Sequence, residues 1–133
     1  MIYYIGLVGS GKTTLYRKLN EEKICNAVEI ELPQSCKDDE QLKEKLLDLY
    51  RSSKDIDAII VHPYFLPQSF HLEKNDKIVY LDLSFEERIE RIQKRSQNIQ
   101  SQCVIFPKEY LTQEEKYFKK FKEKINDLYL RRA

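Results

Sequence analysis

Gly6-Leu7-Val8-Gly9-Ser10-Gly11-Lys12-Thr13-Thr14 holds every glycine of the 133-residue chain and follows directly on the β-branched and aromatic run Ile2-Tyr3-Tyr4-Ile5. A loop that wraps a phosphate turns its backbone N–H groups inward, which requires positive φ values and missing Cβ atoms at the tight points. The spacing predicts such a loop, with Gly6, Gly9, Ser10 and Gly11 forming the cradle and Lys12 supplying a point charge to β and γ phosphates. Thr13 stands where a hydroxyl reaches a Mg²⁺ ion, and Thr14 follows it in the first turn of a helix whose dipole adds positive potential. Leu15, Tyr16 and Leu19 give helical spacing after the loop. Strand, glycine loop and helix therefore occur in the order this motif needs, and a nucleoside triphosphate such as ATP, with Mg²⁺, is the expected ligand.

Outward from the loop, Val28-Glu29-Ile30-Glu31-Leu32 alternates strictly and Pro33 stops it, which predicts an edge strand. Asp38 and Asp39 precede a helical pattern carried by Leu42, Leu46, Leu49 and Tyr50. Asp57-Ala58-Ile59-Ile60-Val61-His62 is apolar through its middle and reads as a central strand buried on both faces. Lys77-Ile78-Val79-Tyr80-Leu81-Asp82 is a further strand, and Ser84-Phe85-Glu86-Glu87 is a capping box opening a helix with Phe85, Ile89 and Ile92 on its apolar face. Thr112-Gln113-Glu114-Glu115 is read as a second capping box, before a long helix with Phe118, Phe121, Ile125 and Leu128. This alternation predicts an α/β fold: a three-layer αβα arrangement around a mainly parallel sheet of four to five strands, in spatial order 2-3-1-4. Residues 1–133 are expected to form one domain, with a lid at about 96–110 in which Cys103-Val104-Ile105-Phe106 is a short strand or a folded-back segment. The aromatic loop from Pro63 to Asn75, with Tyr64, Phe65 and Phe70, either walls a second-substrate pocket or caps the core.

Bulk properties narrow the function classes. A net charge of +1 with 34% charged residues gives a dense but balanced surface, so no sequence-wide attraction to nucleic acid or anionic membrane is expected. Apolar stretches such as Ala58-Ile59-Ile60-Val61 have only strand length, and Met1 running straight into the first strand leaves no room for a signal peptide. Cys25, Cys36 and Cys103 are far apart and include no C-x-x-C pair, as expected of reduced thiols in a cytoplasmic protein. Oligomeric state is not encoded in any of these patterns.

The motifs that are missing narrow the class further. An Asp-x-x-Gly switch of a GTPase needs a glycine beyond Gly11, and Lys74-Asn75-Asp76-Lys77 has the wrong order for a guanine-reading motif. The glycine-rich signature of transporter ATPases is absent for the same reason, and no apolar strand ends in the Asp-Glu of ring-forming ATPases.

The chain resembles the small P-loop kinases of nucleosides, nucleotides and other metabolites, on the phosphate loop and on Asp82-Leu83-Ser84-Phe85-Glu86-Glu87-Arg88-Ile89-Glu90-Arg91-Ile92-Gln93-Lys94-Arg95. That resemblance implies a P-loop NTPase fold and ATP-dependent phosphoryl transfer to a small-molecule acceptor, with a nucleoside or nucleotide as the first expectation. It implies that Arg95, and next Arg91, stabilise the transferring phosphoryl, and that Glu31 is the carboxylate orienting the acceptor. By spacing alone, Arg88, Arg91 and Arg95 share one helical stripe, while Glu87–Arg91 and Glu90–Lys94 are i,i+4 pairs that would simply solvate the helix. Asp82 competes for a metal role, and His62 stands where an acid is often found. It either orients the acceptor or is a satisfied core histidine. A nucleotide-binding regulatory module and a slow ATPase without an acceptor remain the competing readings.

Overall fold

The computed structural model describes residues 1–97 and 108–132. Its elements are β1 (Ile2–Gly6), α1 (Lys12–Glu21), β2 (Ala27–Ile30), α2 (Glu40–Ser52), β3 (Ala58–Val61), β4 (Lys77–Leu81), α3 (Phe85–Gln97) and α4 (Lys108–Arg132). The described strands form one parallel sheet in the order β2-β3-β1-β4, so the expected winding holds and β2 lies at an edge. The register pairs Ile30 with Val61, Ile5 with Val61 and Gly6 with Leu81. All four strands consequently end at one rim, from which the phosphate loop, Glu31, His62 and Asp82 continue.

Side-chain alternation in β1 divides the core. Ile2 and Tyr4 face Leu15, Tyr16 and Leu19 of α1, together with Ala27, Ala58 and Ile60. Tyr3 and Ile5 face the opposite layer, where Leu47 of α2 and Phe118 and Ile125 of α4 pack on Ile59 and Val61. This is the expected three-layer arrangement. Ala58, Ile59, Ile60 and Val61 are all at 0% exposure, which explains why β3 carries no polar alternation. Each large apolar side chain buried this fully contributes about 1.5–3 kcal/mol of transfer free energy.

The helix patterns hold with two corrections. In α2, Asp39 caps the helix by accepting the Leu42 N–H at 3.1 Å, but Leu49 is 61% exposed and Leu47 fills the core position instead. The stripe runs through Lys43 and Leu47, and Lys43 is buried with its ammonium paired to Glu40 at 3.1 Å. The sequence pattern missed it because lysine normally marks an outer face, whereas its apolar stem can cover a core. In α4, the helix begins at Lys108 rather than at Thr112. Its buried face is Leu111, Glu114, Phe118 and Ile125, with Phe121 packed against it, a spacing of three and four that a charged residue at 114 had interrupted. At the first expected capping box the Ser84 hydroxyl caps α3 by accepting the Glu87 N–H at 3.1 Å.

Between β3 and β4 the chain crosses the sheet without an α-helix. A single 3₁₀ turn at Pro63–Phe65 is followed by a loop whose Leu66, Phe70 and Leu72 are buried in the α2–α4 layer. Phe70 therefore caps the core, as one of the two expectations for this loop had it, and stacks edge-on against Tyr3 with ring centroids 5.3 Å apart.

Candidate active site

The phosphate loop is built by β1 running into α1. Gly9 and Gly11 have φ values of 80° and 93°, in the region that side chains with a Cβ avoid, and Ser10 N–H closes a tight turn on the Leu7 carbonyl at 3.1 Å. Gly6 is required for a different reason. A Cβ there would lie 2.3 Å from Ser10 Oγ and 2.9 Å from Leu81 Cβ, so the loop and β4 approach each other over bare backbone. Ser10 points inward at 8% exposure, and its hydroxyl has no hydrogen-bond partner among the described residues. Lys12 Nζ donates to the Leu7 carbonyl at 2.8 Å, holding the ammonium over the loop, and Leu15 N–H bonds the Gly11 carbonyl at 3.0 Å as α1 begins, with Thr14 exposed in its first turn.

Two strand ends bring carboxylates to this rim. Thr13 Oγ1 donates to Glu29, at 3.2 Å from one carboxylate oxygen and 3.5 Å from the other. Burial and the neighbouring Glu31 carboxylate push the Glu29 carboxyl upward, partly countered by the Thr13 hydrogen bond and by Lys12. Glu31, the residue singled out from the sequence, is exposed at the end of β2, two positions further along the same strand face. Thus the carboxylate joined to Thr13 is Glu29. Asp82, the competing metal candidate, is 62% exposed and ion-paired with Lys122 of α4.

The three arginines of α3 separate. Arg91 is exposed and lies over the start of α1, its Nη1 3.2 Å from the point where a Gly11 Cβ would stand. Arg88 is buried at 2% exposure: its Nε donates to the Val8 carbonyl at 2.9 Å, its Nη1 to Glu115 at 2.5 Å and its Nη2 to Glu114 at 2.6 Å. With all three guanidinium nitrogens engaged within the protein, Arg88 differs in surroundings from the exposed Arg91, although the spacing puts both on one stripe. The Arg95 side chain and residues 98–107, most of the expected lid, lie outside the described residues. Lys94 and Glu90 form the expected exposed i,i+4 pair at 3.3 Å, which contributes little.

Glu114 is the residue that the sequence hid, because it reads as part of a capping box. It is 0% exposed, and its second oxygen bonds His62 Nε2 and lies 3.5 Å from the Val8 N–H. His62 Nδ1 accepts the Tyr64 N–H at 3.0 Å, so a neutral ring carries its proton on Nε2 and donates it to Glu114. Burial drives the His62 pKa downward, against the pull of Glu114. Of the two expectations for His62, the satisfied buried histidine is the one observed.

Tyr64 continues outward to the rim. Its ring packs against Tyr117 at 4.6 Å and Tyr110 at 6.3 Å, and Lys37 Nζ stands 4.3 Å from its centre. Burial, with Glu114 next in effect, pushes its hydroxyl up to about 12, so it stays protonated. The crossover loop and α4 also enclose a separate hollow of about 180 Å³, whose lining includes Leu66, Phe70, Phe121 and Lys124 and no residue of the phosphate loop.

No protein-family model matches the chain, and no curated protein matches it in sequence. Among solved structures, deoxyadenosine kinase from M. mycoides with bound dATP superposes with a TM-score of 0.56 and 18% identity, over 96% of this chain and 88% of that one. A second structure of that enzyme, holding the products dCMP and a flexible dCDP, superposes with a TM-score of 0.52 at 18% identity, over 93% and 84% of the two chains. The chain has the fold of a small P-loop kinase. At this identity the likeness extends to the architecture. No described helix is long and apolar enough to cross a membrane.

Proposed function

We propose that this protein is an ATP-dependent kinase of a small molecule, with a nucleoside or nucleotide as acceptor. The observation that carries the reading is the phosphate loop at the strand-end rim, with Lys12 held over it and Arg91 at Gly11. In this reading the amides of Gly9 to Thr14 receive the triphosphate, with Gly6 and Ser10 shaping the loop from beneath. Lys12, Arg91 and Arg95 stabilise the charge of the γ-phosphoryl as it passes to the acceptor oxygen and its bond to the β-phosphate oxygen breaks. Guanidinium groups suit this role because their planar donors match the spread charge of phosphoryl oxygens.

A Mg²⁺ ion fits the donors available, since Thr13 and Glu29 offer hard oxygen atoms side by side. When bound, such an ion neutralises charge on the β and γ phosphates. Glu31, exposed at the same rim, is placed to orient an acceptor hydroxyl and take its proton, and Tyr64 provides an aromatic face for a base or other ring. The dATP, dCMP and dCDP held by the deoxyadenosine kinase structures support a deoxynucleoside as the first acceptor to test.

The test is consumption of ATP with magnesium in the presence of a panel of nucleosides, nucleotides and other metabolites. Acceptor-stimulated turnover is expected, with phosphorylated product formed in equal amount to ADP. Basal hydrolysis unaffected by any acceptor would make the protein an ATPase. Absence of binding to every purine and pyrimidine triphosphate would end the proposal.

A further inference from the structure

Buried charge needs a reason, and the Arg88–Glu114 pair sits where an apolar side chain would serve packing equally well. Phe85, Ile89 and Ile92 flank Arg88 on α3, and Leu111 and Phe118 flank Glu114 on α4. Replacing such a pair by hydrophobic residues is often neutral or stabilising, so the pair is weak evidence for a role in stability. What distinguishes it is its target. Both charged groups converge on Val8, Arg88 on the carbonyl at 2.9 Å and Glu114 towards the N–H at 3.5 Å, so the peptide groups on either side of this loop residue are addressed.

The consequence follows from peptide planarity. In a trans peptide the C=O and the next N–H point in opposite directions, and the described chain contains no cis bond. Holding the Val8 carbonyl on Arg88 therefore turns the Gly9 N–H away from α3, to the inner side of the loop. Gly9, at φ 80°, has no Cβ to fix that orientation by itself, and α3 also backs it closely, the Arg88 carbonyl standing 3.3 Å from the notional Cβ. The other end of the network is equally directed: Glu114 bonds His62, and His62 accepts the Tyr64 N–H. One buried carboxylate thus ties the phosphate loop to the aromatic wall across the rim.

We propose that Arg88 and Glu114 are positioning residues of the phosphate site: they aim the Gly9 amide through Val8 and hold Tyr64 in register with it through His62. The functional part of this inference rests on the kinase reading; the mechanical part does not. Two variants test it, Arg88→Met/Glu114→Leu, which fills the same space without charge, and Arg88→Lys, which keeps the charge but cannot reach all three partners at once. Thermal unfolding establishes that each variant is folded. Amide exchange in the protein without nucleotide is read at Ser10, whose N–H bonds Leu7 within the loop, against the amides of β1 and β3.

The expected result is a folded protein in which Ser10 exchanges about tenfold faster or more while β1 and β3 are unchanged, with MgATP affinity lowered by a similar factor, as for the loss of a charge-assisted hydrogen bond. A folded variant with unchanged Ser10 exchange overturns the proposal, as does faster exchange with unchanged MgATP affinity. If the native protein binds no triphosphate, the kinase reading fails separately, and the exchange measurement alone decides whether Val8 is braced.

Discussion

Lys12 spends its described hydrogen bond on the Leu7 carbonyl, a partner within its own loop, and this keeps a long flexible cation over the site instead of in solvent. Substituting Lys12→Ala removes the charge without touching the buried layers. We expect transfer activity to fall by about a hundredfold or more, with weaker triphosphate affinity and an unchanged unfolding temperature. Steady-state kinetics with a parallel melting curve check this, and unaltered turnover would remove Lys12 from the site. Gly6 is the residue where backbone approach rather than φ is limiting. Gly6→Ala must displace both Ser10 and Leu81 Cβ, and the second belongs to a strand that cannot move alone. A destabilisation of about 1–3 kcal/mol is expected, read by chemical denaturation. If instead the change proved neutral, the close packing of loop on β4 would be wrong.

At the scale of elements, α3 places two arginines in different surroundings one turn apart. Arg88 faces inward and is consumed by Val8, Glu114 and Glu115, while Arg91 faces the start of α1. The two are distinguishable by kinetics. Arg91→Ala should lower kcat by about tenfold or more and leave both ATP affinity and stability nearly as they were, because an exposed guanidinium contributes chiefly once charge spreads over the transferring phosphoryl. A change confined to melting temperature would make Arg91 structural. α4 packs through the apolar stripe of Leu111, Phe118 and Ile125, and Glu114 in its midst faces His62 and Arg88.

For the whole molecule, the buried histidine links folding to acidity. Burial lowers the His62 pKa below its ordinary value of about 6.5, and the Tyr64 N–H already occupies Nδ1, so the doubly protonated ring has no acceptor there. The unfolded chain therefore takes up the proton first as pH falls. The stability contributed by neutral His62 is complete above the ordinary imidazole range and is lost as pH drops through about 6.5 towards the lower native value. His62→Gln retains an N–H donor for Glu114 and does not titrate. Melting temperatures of both proteins between about pH 5 and 8 should diverge on the acid side, with the native sequence losing more. Parallel curves throughout would show that His62 does not titrate on unfolding.

Read alone, the sequence determined the phosphate loop, the strand-end rim it occupies and the winding of the sheet. Those follow from local rules: glycines where φ is positive, a two-residue period in β2, a continuous apolar run in β3 and 3.6-residue periods in the helices. The exchange of Leu49 for Leu47, the early start of α4, the choice of Glu29 as the partner of Thr13 and the different placement of Arg88 and Arg91 were decided only by tertiary structure. A charged residue has the same local signature whether it faces water, lays its stem over a core as Lys43 does in α2, or meets a buried counter-charge, and only the packing of α3 and α4 onto Val8 and His62 makes Arg88 and Glu114 interior residues.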